Sequence, residues 1–385
     1  MMAEGRGPRI SLDHGAIVST FSRFFADRGY GHSPTVGLLA DAGDLLFTNS
    51  SMTPFRDAML HGQRLDPAVQ VQPCLRTNDD WLVTFTMLGV LAMADQLIRV
   101  TTDLVAFLDD TGLCGLEDLH CVMCAEDVDL RAAWDEATGG RFVSFLAGNT
   151  AMLWTHWRYG SGDRLIGRGM TFVREDPERA PCGADCSPIC ECGRFFPLAN
   201  VIMATSGDTA SYVDVGMGLE GLVAAHEGGD FYASDPYQSI VEATDSWGLA
   251  SEVSTRLANE LIGSRAGVRA GCRPGPRGAG HVLRRLLRSV ALTLRAIPGP
   301  PPRQRCAFLL EITGTDPDVA RVVLDEVSQL PSRIARGTRG ASRYLRRHAA
   351  LPRPELRARI QETYGLPAAE AEALVIEILD SALLG

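Results

Sequence analysis

The chain has 385 residues, 45% of them hydrophobic, and a formal net charge of −10. A chain of this size can bury one large core or two moderate ones, and we expect two domains. All 37 cationic residues are arginine, which excludes chemistry that needs a lysine ammonium or Schiff base. The nearly uncharged run 81–94 is too short to cross a bilayer, and no apolar signal segment begins the chain. We therefore expect a cytoplasmic protein without membrane contact.

The hydrophobic pattern predicts a mixed first domain and a helical second one. An amphipathic helix is predicted over 14–28, and strands are predicted at 44–48, 70–75, 82–88, 119–124, 142–146, 170–174, 195–203 and 211–214. These strands would form a largely antiparallel sheet with flanking helices. From about residue 234 the spacing becomes helical, and the final helix is predicted over Ala368 to Leu384. We place the two domains at 1–233 and 234–385, an α+β domain followed by an all-helical one.

Charge is distributed unevenly between the two halves. Residues 264–385 carry 20 Arg and 11 acidic residues, whereas residues 1–263 carry 17 Arg and 36 acidic residues. Two zones of the second half, 261–310 and 333–347, contain arginine and no acid. Such zones suit a phosphate backbone, and pairing of these arginines with acidic residues is the alternative.

Four short motifs occur in a recognisable order. Residues 45–52 read Leu-Leu-Phe-Thr-Asn-Ser-Ser-Met, 72–76 read Gln-Pro-Cys-Leu-Arg, 85–89 read Phe-Thr-Met-Leu-Gly, and 213–222 read Val-Asp-Val-Gly-Met-Gly-Leu-Glu-Gly-Leu. They resemble motifs of alanyl-tRNA synthetase, a class II aminoacyl-tRNA synthetase. The family versions include Leu-Leu-Phe-Thr-Asn-Ala-Gly-Met, Phe-Glu-Met-Leu-Gly-Asn and Val-Asp-Thr-Gly-Met-Gly-Leu-Glu-Arg. Residues 280–285 and 364–367 resemble landmarks of the family's helical tRNA-recognition region. The resemblance covers the catalytic and tRNA-recognition regions and stops before the editing and C-terminal domains, so we expect a truncated paralogue that does not edit.

The resemblance implies roles for individual residues. Arg76 corresponds to the family arginine that stabilises charge on the ATP phosphates during activation, and Asp214 to the carboxylate that meets the substrate's α-amino group. The remaining implied alanine-binding residues are Trp157, Asn200 and Gly216. The remaining implied nucleotide-binding residues are Phe85, Met87, Gly218 and Glu220. For Trp157 and Asn200, ordinary core packing is the alternative.

The nucleotide end departs from the family pattern. Gly221 replaces an arginine that lies over adenine in the family, which removes a cation–π contact of about 1 to 2 kcal/mol. Only eight residues separate Arg76 from Phe85, whereas the family has a much longer loop there. Thr86 and Val90 replace a glutamate and an asparagine. These changes predict weakened ATP binding, altered access for the acceptor, or no adenylation.

A cysteine cluster stands apart from these motifs. Its members, within eleven residues, are Cys182, Cys186, Cys190 and Cys192. In a reducing cytosol this density favours a structural tetrahedral zinc site, and a redox cluster or free thiols are the alternatives.

Three functions stay open on the sequence. The first is an enzyme that activates alanine with Mg²⁺ and ATP and transfers the alanyl group to tRNA or, preferentially, to a small-molecule or carrier acceptor in a specialised natural-product pathway. The second is an alanyltransferase that takes alanine from alanyl-tRNA without ATP. The third is an inactive paralogue that binds tRNA or regulates. The expected partners are alanine, one of these acceptors and a second copy in a homodimer.

Overall fold

The computed structural model describes residues 12–42, 45–77, 82–147, 155–159, 165–206, 210–226, 229–233 and 235–381. Its strands in these ranges are β1 Gly31–His32, β2 Leu39–Ala42, β3 Leu45–Phe47, β4 Ala68–Leu75, β5 Thr84–Met93, β6 Leu119–Cys124, β7 Val143–Leu146, β8 His156–Tyr159, β9 Leu165–Glu175, β10 Phe195–Ser206 and β11 Ala210–Gly218. The helices of the first part are α1 His14–Ala26, α2 Arg56–Leu60, α3 Leu97–Asp110, α4 Val128–Thr138 and α5 Leu219–Ala224.

Nine of these strands form one sheet in the order β1-β4-β5-β11-β10-β9-β6-β7, with β8 pairing with β9. The pairs β1–β4 and β6–β7 are parallel, and the other pairs in the sheet are antiparallel. The predicted α+β class, with a largely antiparallel sheet, is confirmed. Each of the eight predicted strands overlaps an observed one.

The sheet has two different faces because successive side chains of a strand point to opposite sides. On one face, Val213, Val215 and Met217 of β11 join a core with α1, α3 and α4. This core contains the fully buried Phe21 of α1 and Trp134 of α4. The alternate residues of β11 lie on the opposite face, which these helices leave uncovered.

The second part of the chain is helical. Its helices are α6 Tyr237–Ser246, α7 Ser251–Arg269, α8 Gly278–Ala296, α9 Pro302–Ile312, α10 Pro317–Ser328, α11 Leu330–Arg347, α12 Arg353–Tyr364 and α13 Ala368–Ser381. The helix α8 ends at Ala296, before the proline-rich run at 298–302, because proline lacks the N–H that continues a helix. The predicted final helix is observed through Ser381, and its last three predicted residues lie outside the described residues.

The helices pack against the start of β5. The Val83 N–H donates to Asn259 Oδ1 at 2.6 Å, and the Tyr237 hydroxyl donates to the Thr84 carbonyl at 3.2 Å. Phe85 also packs against the core of α6 to α10. The helical part therefore holds the N-terminal end of β5, the strand that carries the suggested nucleotide-binding residues Phe85 and Met87.

Candidate active site

The face of the sheet opposite α1, α3 and α4, on which the segment around α2 packs, brings several of the predicted site residues together. Strand register places Asp214 opposite Leu91 of β5 and Ile202 of β10. The next row toward the end of β11 pairs Gly216 with Gly89 and Asn200. Rows two residues apart on one strand are about 7 Å apart. Asp214, Gly216 and Asn200 therefore share one small area in the middle of the sheet.

Asp214 is the charged group at the centre of this area. It is 2% exposed, and the Ser51 hydroxyl donates a hydrogen bond to its Oδ1 at 2.6 Å. Burial raises the pKa of Asp214 to about 7, while the Ser51 hydrogen bond and the charge of Arg76 act in the opposite direction. Because desolvation disfavours the ionised form, a cation that binds here would stabilise the carboxylate.

Asn200 and Trp157 flank Asp214 on the β9 side. The Thr171 hydroxyl donates to Asn200 Oδ1 at 2.8 Å, which directs the amide's donor group elsewhere. The Trp157 ring lies over β9, since a Cβ added to Gly169 would come within 3.0 Å of Trp157 Cζ3. Gly169 pairs with Ile202, which in turn pairs with Asp214. Trp157 thus stands two strands from the carboxylate, on the same face.

Arg76 follows the last residue of β4. Its Nε donates to the Asn49 carbonyl at 2.8 Å, and its Cζ lies 5.0 Å from the centroid of the Phe85 ring. The guanidinium is therefore held by the backbone of the segment before α2 and stacked on the aromatic residue that the sequence suggested as a nucleotide platform.

The predicted nucleotide residues beyond Phe85 lie at the junction of β5, β11 and α5. Gly218 pairs with Met87, which is buried. Both carboxylate oxygens of Glu220 accept from the Thr86 N–H, at 3.0 and 2.9 Å, and burial raises the pKa of Glu220. Glu220 therefore links the start of α5 to β5 at the residue that replaces the family glutamate.

Three site residues were not among the sequence predictions: Ser51, Gln70 and Gln72. Gln70 and Gln72 are 2% and 0% exposed. The Gln72 amide donates to Gln70 Oε1 at 3.1 Å, and the Gln70 amide donates to the Ser51 carbonyl. A signal was present in the sequence, because the two glutamines alternate with Val69 and Val71 along β4.

The four cysteines converge in the connection between β9 and β10. Their Sγ atoms all lie within 4.8 Å of one another, and the Cys182–Cys190 and Cys186–Cys192 separations are 3.4 and 3.8 Å. These separations are too long for disulfide bonds. Zn–S bonds of about 2.3 Å in a tetrahedron require sulfurs about 3.8 Å apart. The four thiols fit a zinc ion in number, type and spacing.

Local structure supports a metal-binding role for this cluster. The Arg194 backbone N–H lowers the pKa of Cys192, which favours the thiolate that metals bind, whereas hydrogen bonding with Cys190 raises the pKa of Cys182. Arg194 also donates from Nε to Glu175 Oε1 at 3.0 Å, and its carbonyl accepts from the Asp176 N–H at 2.8 Å. The base of the cysteine loop is thus fixed to the end of β9.

The two basic zones differ in the structure. In the first zone, many arginines bond within the helical part: Arg265 and Arg305 are buried and donate to backbone carbonyls, and Arg284 and Arg295 pair with Glu326 and Glu370. The second zone lies on α11. Its exposed arginines, none paired with an acid among the described residues, are Arg336, Arg339, Arg343, Arg346 and Arg347.

Comparison with known proteins places this chain in a family. Residues 16–378 match the family model described as tRNA synthetases class II (A). The chain belongs to this class II tRNA synthetase family. None of the helices in the described part combines the length and the apolar character that a bilayer crossing needs.

The curated relatives carry one name. The chain is 25% identical over 322 residues to the alanine–tRNA ligase of Clavibacter sepedonicus, covering 72% of this chain and 36% of the relative. It is 27% identical over 348 residues to the enzyme of the same name from Thermosynechococcus vestitus (strain NIES-2133 / IAM M-273 / BP-1), covering 80% of this chain and 36% of the relative. The chain therefore matches only about a third of the length of these relatives.

Solved structures with a partial likeness are also tRNA synthetases. The apo S. aureus histidyl-tRNA synthetase has 13% identity and a TM-score of 0.37, covering 59% of this chain and 71% of that one. The pyrrolysyl-tRNA synthetase PylSc of Desulfitobacterium hafniense has 12% identity and a TM-score of 0.31, covering 57% and 68%.

Proposed function

We propose that the chain binds alanine, activates it with Mg²⁺ and ATP as alanyl-adenylate, and transfers the alanyl group to an acceptor. The observation that carries this proposal is the buried Asp214 carboxylate, on the face of the sheet opposite α1, α3 and α4. A carboxylate that is 2% exposed is costly to ionise unless a cation binds it. The ammonium of a small amino acid supplies that cation.

Arg76 is the proposed catalytic residue. In the activation step, a carboxylate oxygen of alanine attacks the α-phosphorus of ATP, and pyrophosphate leaves with the electrons of the broken P–O bond. Negative charge increases on the phosphate oxygens as this occurs. A guanidinium held by the Asn49 carbonyl stabilises that charge with little rearrangement.

The acceptor is proposed to be a small molecule or a carrier protein, with tRNA as the other candidate. The short connection between Arg76 and Phe85 supports the first, since little chain is available there to position a tRNA end. The exposed arginines of α11 support the second. Four thiolates, from Cys182, Cys186, Cys190 and Cys192, are proposed to hold a structural zinc ion.

Alanine-dependent exchange of pyrophosphate into ATP tests the activation step. We expect exchange with the wild-type chain and a loss of about 10²- to 10³-fold with Arg76→Ala, as for removal of one transition-state donor. Arg321→Ala, on α10, is the matched control and should retain the wild-type rate. If a folded chain that binds alanine gives no exchange, activation is refuted.

An alanyltransferase that takes alanine from alanyl-tRNA is the second candidate. It is supported by Glu220, whose two oxygens are already engaged with Thr86, and by Gly221, which offers no side chain to a nucleotide. In this case ribonuclease treatment of the donor should abolish product formation. Product formation that is insensitive to ribonuclease contradicts it.

A further inference from the structure

Ser51 touches the centre of the candidate alanine site. It lies between β3 and α2 and is 1% exposed. Besides its 2.6 Å hydrogen bond to Asp214, its side chain covers part of the strand surface. A Cβ added to Gly89 would come within 2.5 Å of Ser51 Cβ, and one added to Gly216 would lie 3.9 Å from Ser51 Oγ. Ser51 therefore rests on the floor of the site.

The residue is a departure from the motif that surrounds it. Residues 45–52 resemble a family segment in which glycine stands at the position of Ser51. A glycine there would offer Asp214 no hydroxyl and would leave the space above Gly89 open. Both the hydrogen bond and the filled space are consequently features that the serine side chain adds.

The Ser51 backbone is held in this place by a chain of hydrogen bonds with a fixed direction. The Val36 N–H, which can only donate, bonds to Gln72 Oε1 at 2.9 Å. The Gln72 amide therefore donates to Gln70 at 3.1 Å, and the Gln70 amide donates to the Ser51 carbonyl. Because each amide orientation is set by the one before it, these bonds connect the Ser51 carbonyl to the Val36 N–H in the segment after β1 and fix the position of Ser51.

A substrate side chain that lies over Gly216, two residues from Asp214, meets this floor. The nearest side chains over Gly216 are those of Met87 and Ser51, since a Cβ added to Gly216 would lie 3.2 Å from Met87 Sδ. Closely packed groups of this kind resist even one extra methylene. Ser51 can therefore affect which amino acids fit.

We infer that Ser51 is a specificity residue: its hydroxyl holds one oxygen of Asp214 so that the substrate ammonium binds the other, and its Cβ excludes amino acids with side chains longer than methyl. This inference rests on the proposed function and names the substrate class of that same site. Glycine and alanine fit, whereas 2-aminobutyrate is rejected.

Calorimetry with the full chain separates the two roles. The ligands are glycine, alanine and 2-aminobutyrate, and the variants are Ser51→Gly, Ser51→Ala and the control Ser50→Ala, which changes the neighbouring serine to the family residue. Ser51→Gly should improve binding of 2-aminobutyrate relative to alanine by about 10-fold or more, the usual effect of one methylene in a pocket. Ser51→Ala should keep the wild-type ranking, because its Cβ remains.

The pH profile of alanine binding reports the hydroxyl. The Ser51 hydrogen bond favours the ionised form of Asp214, so Ser51→Ala should move the midpoint of alanine binding to higher pH. Two other titratable groups at the end of β4, Arg76 and Cys74, interact electrostatically with Asp214, and both are unchanged in all variants. The register partners of Asp214, Leu91 and Ile202, carry no charge. Ser50→Ala should leave both ranking and midpoint at wild-type values.

The outcomes distinguish this inference from the proposed function. If the wild-type chain does not bind alanine, the proposed function fails. If the wild type binds alanine but a folded Ser51→Gly keeps the wild-type ranking, and Ser51→Ala keeps the wild-type midpoint, the role of Ser51 is refuted while alanine binding stands.

Discussion

The ring of Phe231 faces Gly221, where the resemblance implies an arginine in the family: a Cβ added to Gly221 would lie 3.6 Å from Phe231 Cε1. That separation is an ordinary van der Waals contact, so the helix α5 can accept a side chain at this position. We predict that Gly221→Arg raises the affinity for ATP by roughly 10-fold, the equivalent of one cation–π contact of about 1 to 2 kcal/mol. Titration with a fluorescent ATP analogue measures it.

Gly221→Ala is the matched control for this substitution. It adds the Cβ without the guanidinium and raises helix propensity by about 1 kcal/mol, so it should stabilise the fold and leave ATP affinity unchanged. If alanine and arginine improve ATP binding equally, the gain comes from a more rigid α5, and the cation–π explanation is wrong.

The titration of Asp214 gives a prediction with a defined sign. Its pKa is raised to about 7 in the folded chain, against about 3.9 when unfolded. Between these values the folded chain binds more protons, so Asp214 lowers the free energy of unfolding as pH rises from about 4 through about 7. Asp214→Asn removes this decrease. The free energy of unfolding of the variant minus that of the wild type should therefore increase from pH 4 to pH 8, by roughly 4 kcal/mol at most.

Urea unfolding at pH 4 and pH 8 measures that difference. Alanine binding should depend on pH in the opposite direction to stability. Wild-type affinity for alanine should increase as pH rises through about 7, and Asp214→Asn should bind alanine weakly at every pH. A variant whose stability difference is the same at both pH values contradicts the buried, proton-binding carboxylate.

Much of the fold followed from the periodicity of the sequence, and the exceptions have physical reasons. The strands β1, β2 and β8 were not predicted; β1 has only two residues, which is too short to show an alternation. Helix α3, Leu97–Asp110, was also not assigned, although its buried residues recur at helical spacing. Long strands such as β9 and β10 were found, but their ends extend beyond the predicted bounds because pairing with neighbours, and not propensity, sets them.

The site was predictable only where a motif named a residue. Asp214, Gly216 and Asn200 do come together, through the register of β10 and β11. Ser51 was missed because its role depends on a hydrogen bond across 163 positions of sequence. A count of charges along the sequence also cannot distinguish buried from exposed arginines. Arg305 is buried and bonds to carbonyls, whereas the arginines of α11 listed above are exposed, and only the structure shows this difference.

The cysteine cluster predicts one bound zinc ion per chain. Cys186→Ser removes one of four ligands and should lower the zinc content, measured by plasma mass spectrometry, to below half of the wild-type value. Loss of the ion should also lower the free energy of unfolding by about 3 kcal/mol, since a ligand that binds only the folded state stabilises it. Chelator treatment of the wild type should give the same decrease.

Cys272→Ser tests whether this effect is local. Cys272 lies after α7, away from the cluster, and is 6% exposed. This variant should keep the full zinc content even if it unfolds more easily. Equal loss of zinc in both variants, or wild-type chain that purifies without zinc and is unaffected by a chelator, rules out the structural metal site.

The arginines of α11 are predicted to bind phosphate groups of RNA. Arg339 and Arg343 stand one turn apart and line a surface groove with Thr338, Ser342 and Arg346. Arg339→Glu with Arg343→Glu should weaken tRNA binding and reduce the slope of log affinity against log salt concentration by about 1 per arginine. Arg321→Glu on α10 is the control, because Arg321 already pairs with Asp318 at 3.1 Å. If filter binding shows the same salt slope for all three proteins, α11 is not an RNA surface.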